Sequence, residues 1–154
     1  MRYNKALFSK RKKVMKEKNV IISIKGIQTS DGDKDVYELV TDGTYIYSDS
    51  TCEFTYMESE LTGLEGTKTT FKIDRDRVLL TREGSLNAQM IFEKGKKHFF
   101  LYETPYGSAT MGVKTNKLKT GLGEHGGDIE LAYAVDVDSV LLGKNEFKVS
   151  IREA

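Results

Sequence analysis

The sequence predicts an all-β protein, an antiparallel barrel of about eight to ten strands. From Val20 onward, apolar and polar side chains alternate almost without interruption, which is the pattern of strands buried on one face. The breaks in this pattern are short and rich in glycine and aspartate, and none is long enough for a crossover helix. Closure into a barrel would bury the apolar faces and remove the unpaired edges. A β-sandwich is the alternative that the pattern leaves open.

The alternating segments give the strands in order. Their predicted bounds are 20–28, 35–41, 44–48, 51–60, 67–73, 77–82, 86–93, 98–104, 108–118, 128–138 and 145–152. The predicted turns are Asp31-Gly32, Asp42-Gly43, Gly63 to Gly66, Glu83-Gly84, Lys94-Gly95, Gly126-Gly127 and Gly143 to Asn145. The clearest alternation is near the carboxyl end, where Ile129, Leu131 and Tyr133 share one face.

Composition restricts the class of protein. A chain of 154 residues is long enough for one domain with its own core, and 38% hydrophobic and 31% charged residues are typical of soluble globular proteins. The single cysteine, Cys52, excludes an internal disulfide and a cysteine-built zinc site. Two histidines give little support to any other metal site. We therefore expect a cytoplasmic protein with no metal and no cofactor.

Residues 1–18 are predicted to form a basic arm ahead of a single barrel domain of residues 19–154. The arm holds eight basic residues against Glu17 alone, a net charge of +7, whereas the remainder holds 16 basic and 22 acidic residues, a net charge of −6. We expect a solvated or loosely docked tail. A docked short helix, or contact with nucleic acid or an anionic membrane surface, are the alternatives.

The stretch from Thr55 to Thr70 carries the first candidate site residues. It is predicted as strand, glycine turn and strand, so that Tyr56, Glu58 and Glu60 share one face. Arg82 shares the parity of the apolar Val78 and Leu80 and is predicted to point to the interior. A buried arginine needs a partner, and its planar guanidinium binds carboxylates at two points. Arg82 is therefore expected to pair with Glu58 or to bind an anionic ligand group.

Tyrosines suit the lining of a cavity because they combine an apolar ring with a polar tip. Tyr56 and Tyr102 are expected near Glu58 and Arg82, and Tyr106 and Tyr133 are further candidates. The sequence leaves two alternatives for the interior, an open cavity or a core filled by bulky residues. These residues are Phe54, Phe71, Phe92, Phe99, Phe100 and Phe147.

The sequence supports a catalytic role for these residues less well than a role in ligand binding. Two nearby carboxylates, Glu58 and Glu60, could split their pKa values for acid–base chemistry, but pairing of Glu58 with Arg82 is the simpler expectation. Cys52 and His98 could form a nucleophile pair only if the fold brings them together, and a buried cysteine usually acts as a small hydrophobic residue. The glycine-rich turn 121–127 lacks the lysine of a phosphate loop. We therefore expect a protein that is not an enzyme.

Several short motifs resemble one known family. They are Ile24 to Gln28, Glu38 with Thr41 to Gly43, Tyr56 to Thr70, Arg82 to Gly84, Met90 to Gly95, Tyr102 to Gly107, and Tyr133. Over residues 20–152 the chain is similar to the YwiB-like bacterial proteins of unknown function, which are placed with the calycin group as lipocalin-like β-barrels. The resemblance implies a calycin-like barrel and implies no catalytic residues.

Two functions remain. The first is a barrel that binds a small amphipathic or anionic ligand through Tyr56, Glu58, Arg82 and Tyr102. The second is a non-enzymatic interaction or scaffold module that acts through the barrel rim or the basic arm. The volume of the barrel interior distinguishes between them.

Overall fold

A computed structural model describes residues 16–49 and 51–154 and confirms the predicted antiparallel barrel. Its elements are β1 (Lys16–Ser30), β2 (Asp33–Tyr47), β3 (Thr51–Met57), a 3-10 helix (Glu60–Thr62), β4 (Lys68–Asp74), β5 (Arg77–Glu83), β6 (Ala88–Glu93), β7 (Lys97–Thr104), β8 (Gly107–Gly123), β9 (Gly126–Val137) and β10 (Val140–Glu153). The predicted basic arm lies mostly outside the described residues, and β1 already begins at Lys16. No helix in the described part of the chain is long and apolar enough to cross a membrane.

The strands form one sheet in the order β6-β5-β4-β3-β2-β1-β10-β9-β8-β7. Most consecutive strands are connected by short turns, whereas β3 and β4 are connected through the 3-10 helix. β1 also pairs with β10, so the first and last strands lie side by side. In the β1–β2 turn, Asp31 and Gly32 have φ values of 50° and 81°. Positive φ at both central residues gives a turn whose twist matches that of a β-hairpin, which is why Asp-Gly suits this position.

Four predicted boundaries are wrong. The Gly126-Gly127 and Gly143 to Asn145 turns lie inside β9 and β10, because the chain turns earlier, at residues 124–125 and 138–139. The Asp42-Gly43 turn does not exist, because β2 runs through both residues and pairs Gly43 with Val20. Glycine is needed there for close approach, since a side chain would collide with the backbone oxygen of Thr55. The strand predicted to reach residue 60 ends at Met57. Glu60 is exposed and begins the 3-10 helix, so it does not share the face of Tyr56.

The barrel has two ends with different interiors. The packed end, which contains Tyr47, Cys52 and Glu93, is filled by aromatic and branched side chains. Phe54 and Phe71 stack in the middle of the barrel with ring centroids 4.7 Å apart. Phe99 was expected among the interior residues, and this is wrong. It points outward and is 68% exposed, whereas its neighbour Phe100 is buried.

The sheet closes along β6 and β7, which are joined by one backbone pair at one end and by the turn of residues 94–96 at the other. At one end, Asn87 and Glu103 exchange backbone hydrogen bonds of 3.1 and 3.0 Å. At the other end, the turn bonds to β8: the Gly95 N–H donates to the Thr115 carbonyl at 2.9 Å, and the Thr115 N–H donates to the Lys96 carbonyl at 3.3 Å. Within the described residues, no ladder joins β6 to β7 between these points. We call this stretch, residues 88–93 and 97–102, the seam.

Candidate functional site

The open end of the barrel, which contains Gln28, Glu58 and Arg82, holds a cavity of about 480 Å³. This volume falls within the range of roughly 300–1,000 Å³ that is usual for small-molecule pockets. The phenylalanines therefore do not fill the interior. All four residues predicted for the site, Tyr56, Glu58, Arg82 and Tyr102, line this cavity. Their role in ligand binding stays a prediction.

Strand register explains why these residues meet. Tyr56, Thr69, Arg82 and Ala88 are direct neighbours on β3, β4, β5 and β6, and they form one row across four strands. Residues in register point to the same face, so the whole row faces the interior. Glu58 follows β3 and keeps the same direction because its backbone N–H donates to the Thr67 carbonyl at 2.8 Å.

The Glu58 carboxylate is buried and hydrogen-bonded on both oxygens. Its side chain is 1% exposed. Oε2 accepts a 2.6 Å hydrogen bond from Thr69 Oγ1, and Oε1 accepts a 3.0 Å bond from Thr62 Oγ1. Thr62 belongs to the 3-10 helix at the rim of the cavity. Glu58 therefore connects the 3-10 helix to the barrel wall.

Arg82 lies beside this carboxylate without a hydrogen bond to it. Its Nε is 3.9 Å from Glu58 Oε2, which brings the two charges together but is too long for a hydrogen bond. The predicted Glu58–Arg82 pairing is thus an ion pair by proximity alone. Nε is buried and has no hydrogen-bond partner among the described residues. A buried donor without a partner costs about 1–3 kcal/mol.

Three tyrosines around this pair are held in the neutral form. Burial raises the pKa of Tyr37 to about 12; the positive charge of Arg82 partly opposes this shift and the negative charge of Glu58 adds to it. Burial also raises the pKa of Tyr56, with a further contribution from Glu58. Burial raises the pKa of Tyr133 in the same way. These hydroxyls remain available as hydrogen-bonding groups at neutral pH.

Sequence reasoning missed Tyr37, Thr62 and Thr69. Strand parity could have found two of them, because Tyr37 lies on the same strand face as the buried Leu39, and Thr69 lies on the same face as the buried Phe71. Tyr37 and Phe147 meet edge to face with centroids 6.4 Å apart, and both line the cavity. Thr62 gave no such signal, since it lies in the 3-10 helix rather than in a strand.

Of the other candidates, one lines the cavity and the rest lie elsewhere. Tyr133 lines the cavity, but Tyr106 is 99% exposed in the turn between β7 and β8. Cys52 is buried in the packed end, and burial raises the pKa of its thiol, which is the opposite of an activated nucleophile. His98 Nε2 lies 3.1 Å from Glu93 Oε1. In the described part of the chain, no group of three or more potential metal ligands comes together.

The fold and the chain are both similar to known proteins. The chain is 26% identical over 121 residues to the uncharacterized beta-barrel protein YwiB of Bacillus subtilis (strain 168), over 79% of this chain and 84% of that protein. The crystal structure of the ywiB protein from Bacillus subtilis matches with a TM-score of 0.81 over 93% of this chain and 97% of that chain, at 23% identity, which shows the same fold. A family model described as a domain of unknown function, DUF1934, matches residues 22–149. The predicted resemblance is confirmed, and the chain belongs to this YwiB-like DUF1934 family.

Proposed function

We propose that this protein binds a small amphipathic or anionic molecule in the cavity at the open end, with the polar group of the molecule at Arg82. The observation that carries the proposal is the buried Arg82 Nε, which has no hydrogen-bond partner among the described residues although it faces a cavity of about 480 Å³. A guanidinium has five N–H donors and prefers carboxylate-like or phosphate-like acceptors. A ligand acceptor at this point would satisfy a donor that the protein leaves without a partner.

The neighbouring carboxylate supports a ligand at Arg82. Glu58 accepts bonds from Thr62 and Thr69, so its negative charge is stabilised without a hydrogen bond from the guanidinium. Its proximity still lowers the energy of keeping Arg82 charged inside the barrel. The N–H groups of Arg82 therefore remain available for a ligand, which suits binding better than catalysis.

The rest of the cavity suits an apolar or aromatic body. Its wall includes Phe71, Met90, Phe100 and Met111, together with the four tyrosines Tyr37, Tyr56, Tyr102 and Tyr133. Methionine side chains adapt to the shape of a ligand, and tyrosines supply both ring contact and a hydroxyl. Gln28, Asp35 and Asn145 also line the cavity and give its open end polar groups.

A titration with the fluorescent amphipathic anion anilinonaphthalenesulfonate tests the proposal. We expect saturable binding to the wild-type protein, and a loss of about tenfold or more in affinity for Arg82→Met, since a charge-assisted hydrogen bond contributes roughly 1.5–3 kcal/mol. Arg152→Met is the matched control because Arg152 is an exposed arginine of β10. Equal affinities in all three proteins, or no binding to the wild type, would contradict the proposal.

An interaction module remains the second candidate, and one surface favours it. Val140, Leu141 and Leu142 follow one another at the start of β10 and are 66%, 56% and 46% exposed. Adjacent exposed apolar side chains often form contact surfaces between proteins. Light scattering after size exclusion, with Leu141→Ser as the variant, tests self-association through this surface. A cytoplasmic location, and any contact of the basic arm with nucleic acid, stay predictions.

A further inference from the structure

We propose that two copies of this chain pair through one edge of β2 and form a dimer in which the antiparallel sheet continues from one barrel to the other. The contact uses residues 33–42, which we call the β2 edge. The proposal concerns a protein partner rather than a ligand, and it rests on the backbone and the outward side chains of β2.

The β2 edge has a neighbouring strand on one side only. β2 pairs with β1 from Asp33 to Tyr47, but it pairs with β3 only from Thr44 to Tyr47. In the part of the chain that the structure describes, no other strand or isolated bridge joins the second side of β2. Residues 33–42 therefore form a free strand edge.

Two hydrogen bonds show which backbone groups point outward from this edge. The Ser48 N–H donates to the Thr51 carbonyl at 2.9 Å, so the backbone groups of Ser48 point toward β3. On the far side of β1, the Ala154 N–H donates to the Asn19 carbonyl at 3.1 Å, so the odd-numbered residues of β1 point toward β10. Because these groups alternate along an antiparallel ladder and the β1–β2 register is unbroken, both bonds assign the free side to the even-numbered residues of β2. Among the described residues, the outward N–H and C=O groups have no hydrogen-bond partner at Lys34, Val36, Glu38 and Val40.

The sheet opens beside the β2 edge. A groove of about 620 Å³ lies where β2 and β3 separate, and Gly43 and Met57 line it from opposite sides. On the inner face, the cavity extends from Tyr37 on β2 to Leu61 in the 3-10 helix. Within the described residues, no backbone hydrogen bond joins the β2 edge to residues 58–67. Space, rather than another segment of the same barrel, therefore lies beside this edge.

The β2 edge lacks the usual features that prevent a free edge from pairing. Natural sheets block such edges with a proline, a bulge or a very short edge strand. The single proline, Pro105, is in a distant turn, and the register of β2 against β1 contains no bulge. The outward side chains instead include Val36 and Val40, which are 56% and 66% exposed. A long edge with exposed valines is suited to pairing with another strand.

Charge complementarity identifies a second copy of this chain as the partner. When two β2 edges run antiparallel about Val36, Lys34 of each copy lies opposite Glu38 of the other, and the two valines face each other. Opposite charges directly across a ladder stabilise it, whereas like charges destabilise it. Pairing about Glu38 would place two glutamates together, and pairing one residue beyond Val36 would place both charges opposite valines. Pairing about Val36 joins residues 32–40 of each copy and ends before Thr44, where β3 begins to pair with β2.

Sedimentation equilibrium of the full chain tests the dimer. The wild-type protein should show a monomer–dimer equilibrium at concentrations up to about 1 mM. Lys34→Glu places like charges opposite each other twice in each dimer, and it should raise the dissociation constant of the dimer about tenfold or more. The double reversal, Lys34→Glu with Glu38→Lys, restores opposite charges and should return the dissociation constant close to that of the wild type.

Two control variants separate this contact from other surfaces. Lys144→Glu reverses an exposed lysine of β10, and Leu141→Ser removes an exposed apolar side chain of the same strand. Both should leave the dissociation constant unchanged, because β1 lies between β10 and the β2 edge. A wild-type protein that stays monomeric, a double reversal no tighter than Lys34→Glu alone, or an equal effect of Lys144→Glu would overturn the proposal.

Cysteine cross-linking tests the register. Residues directly opposite in a hydrogen-bonded antiparallel pair have α-carbons about 5.5 Å apart, which is within the range of a disulfide. Val36→Cys should therefore form a disulfide-linked dimer under mild oxidation. Val40→Cys is the matched control, since the two copies of residue 40 would lie roughly 26 Å apart, eight residues at about 3.3 Å each. Equal cross-linking of the two variants would contradict pairing about Val36.

Amide hydrogen exchange gives a readout that does not depend on substitutions. The amides of Val36 and Glu38 should exchange rapidly in dilute, monomeric protein and slow down as protein concentration rises. The amides of Tyr37 and Leu39, which point toward β1, are internal controls and should be protected at every concentration. Protection of Val36 and Glu38 in the monomer would mean that another segment of the same chain covers the edge, and the proposed dimer contact would then be wrong.

Discussion

The aromatic ring of Tyr37 lies directly over the α-carbon of Gly26, its cross-strand neighbour on β1. A β-carbon at position 26 would collide with Cζ, Cε1 and the hydroxyl of Tyr37. Glycine at this position therefore lets Tyr37 lie across β1 and line the cavity beside Phe147.

Gly26→Ala should destabilise the protein by about 1–3 kcal/mol, because overpacking forces the Tyr37 ring or the strand backbone to move. Chemical denaturation measures the free energy of unfolding. Gly121→Ala is the control, since a β-carbon there would lie 3.6 Å from the Asp128 oxygen, an ordinary contact. A loss for Gly26→Ala no larger than that of the control would contradict the packing described.

Thr69→Val should destabilise the protein by about 1–3 kcal/mol. The substitution keeps the shape of the side chain but removes the 2.6 Å hydrogen bond to the buried Glu58 carboxylate. Thr70→Val is the matched control on the same strand, where a 3.2 Å bond to Thr55 joins two neutral hydroxyls. We expect thermal unfolding to show a clearly larger decrease in melting temperature for Thr69→Val, and equal decreases would count against a buried, ionised Glu58.

The predictable part of the fold came from strand periodicity, because a barrel strand must alternate between core and solvent. The same alternation explains why the prediction for Phe99 was wrong. Phe99 and Phe100 are adjacent in one strand and cannot both face the interior, and only Phe100 does. The Asp42-Gly43 pair has the composition of a turn, but the close approach of the Thr55 backbone keeps it inside β2.

Part of the candidate site was also predictable from the alternation of side chains along each strand. Parity placed Glu58 and Arg82 toward the same interior, and strand register then brought them to 3.9 Å. The contributions of Thr62 and Thr69 depend on side-chain geometry and on the 3-10 helix, which periodicity does not describe. The seam depends on how the two edge strands of the sheet, β6 and β7, meet when the barrel closes, and this is a property of the whole sheet rather than of either strand.

The raised pKa of Tyr37, about 12 in the folded protein against 10.0 ordinarily, predicts a loss of stability at alkaline pH. Between these two values the unfolded chain loses the tyrosine proton while the folded protein retains it. The stabilisation is therefore complete below about pH 10 and is lost as pH rises toward 12.

Urea unfolding across this range should show a free energy of unfolding that falls with pH, and Tyr37→Phe should show a shallower fall. Tyr106→Phe, which removes a hydroxyl outside the barrel, is the control. Identical pH profiles for Tyr37→Phe and the wild type would contradict the environment assigned to this hydroxyl.

Arg82→Met should destabilise the protein by about 3 kcal/mol, because it removes the cation nearest to a carboxylate that is 1% exposed. In the double variant Glu58→Gln with Arg82→Met, the free energy of unfolding should fall by much less than the sum of the decreases in the two single variants, because no buried charge is then left without a partner. Additive losses in a double-mutant cycle would show that the two charges at 3.9 Å do not interact.

The central claim is that Arg82 binds the polar group of a small molecule inside the barrel. Native mass spectrometry of the protein purified from its own host tests it most directly. We predict a stoichiometric small molecule retained by the wild type and by Arg152→Met, and lost from Arg82→Met. Wild-type protein that carries no small molecule, or Arg82→Met that retains the same molecule at full occupancy, would contradict the claim.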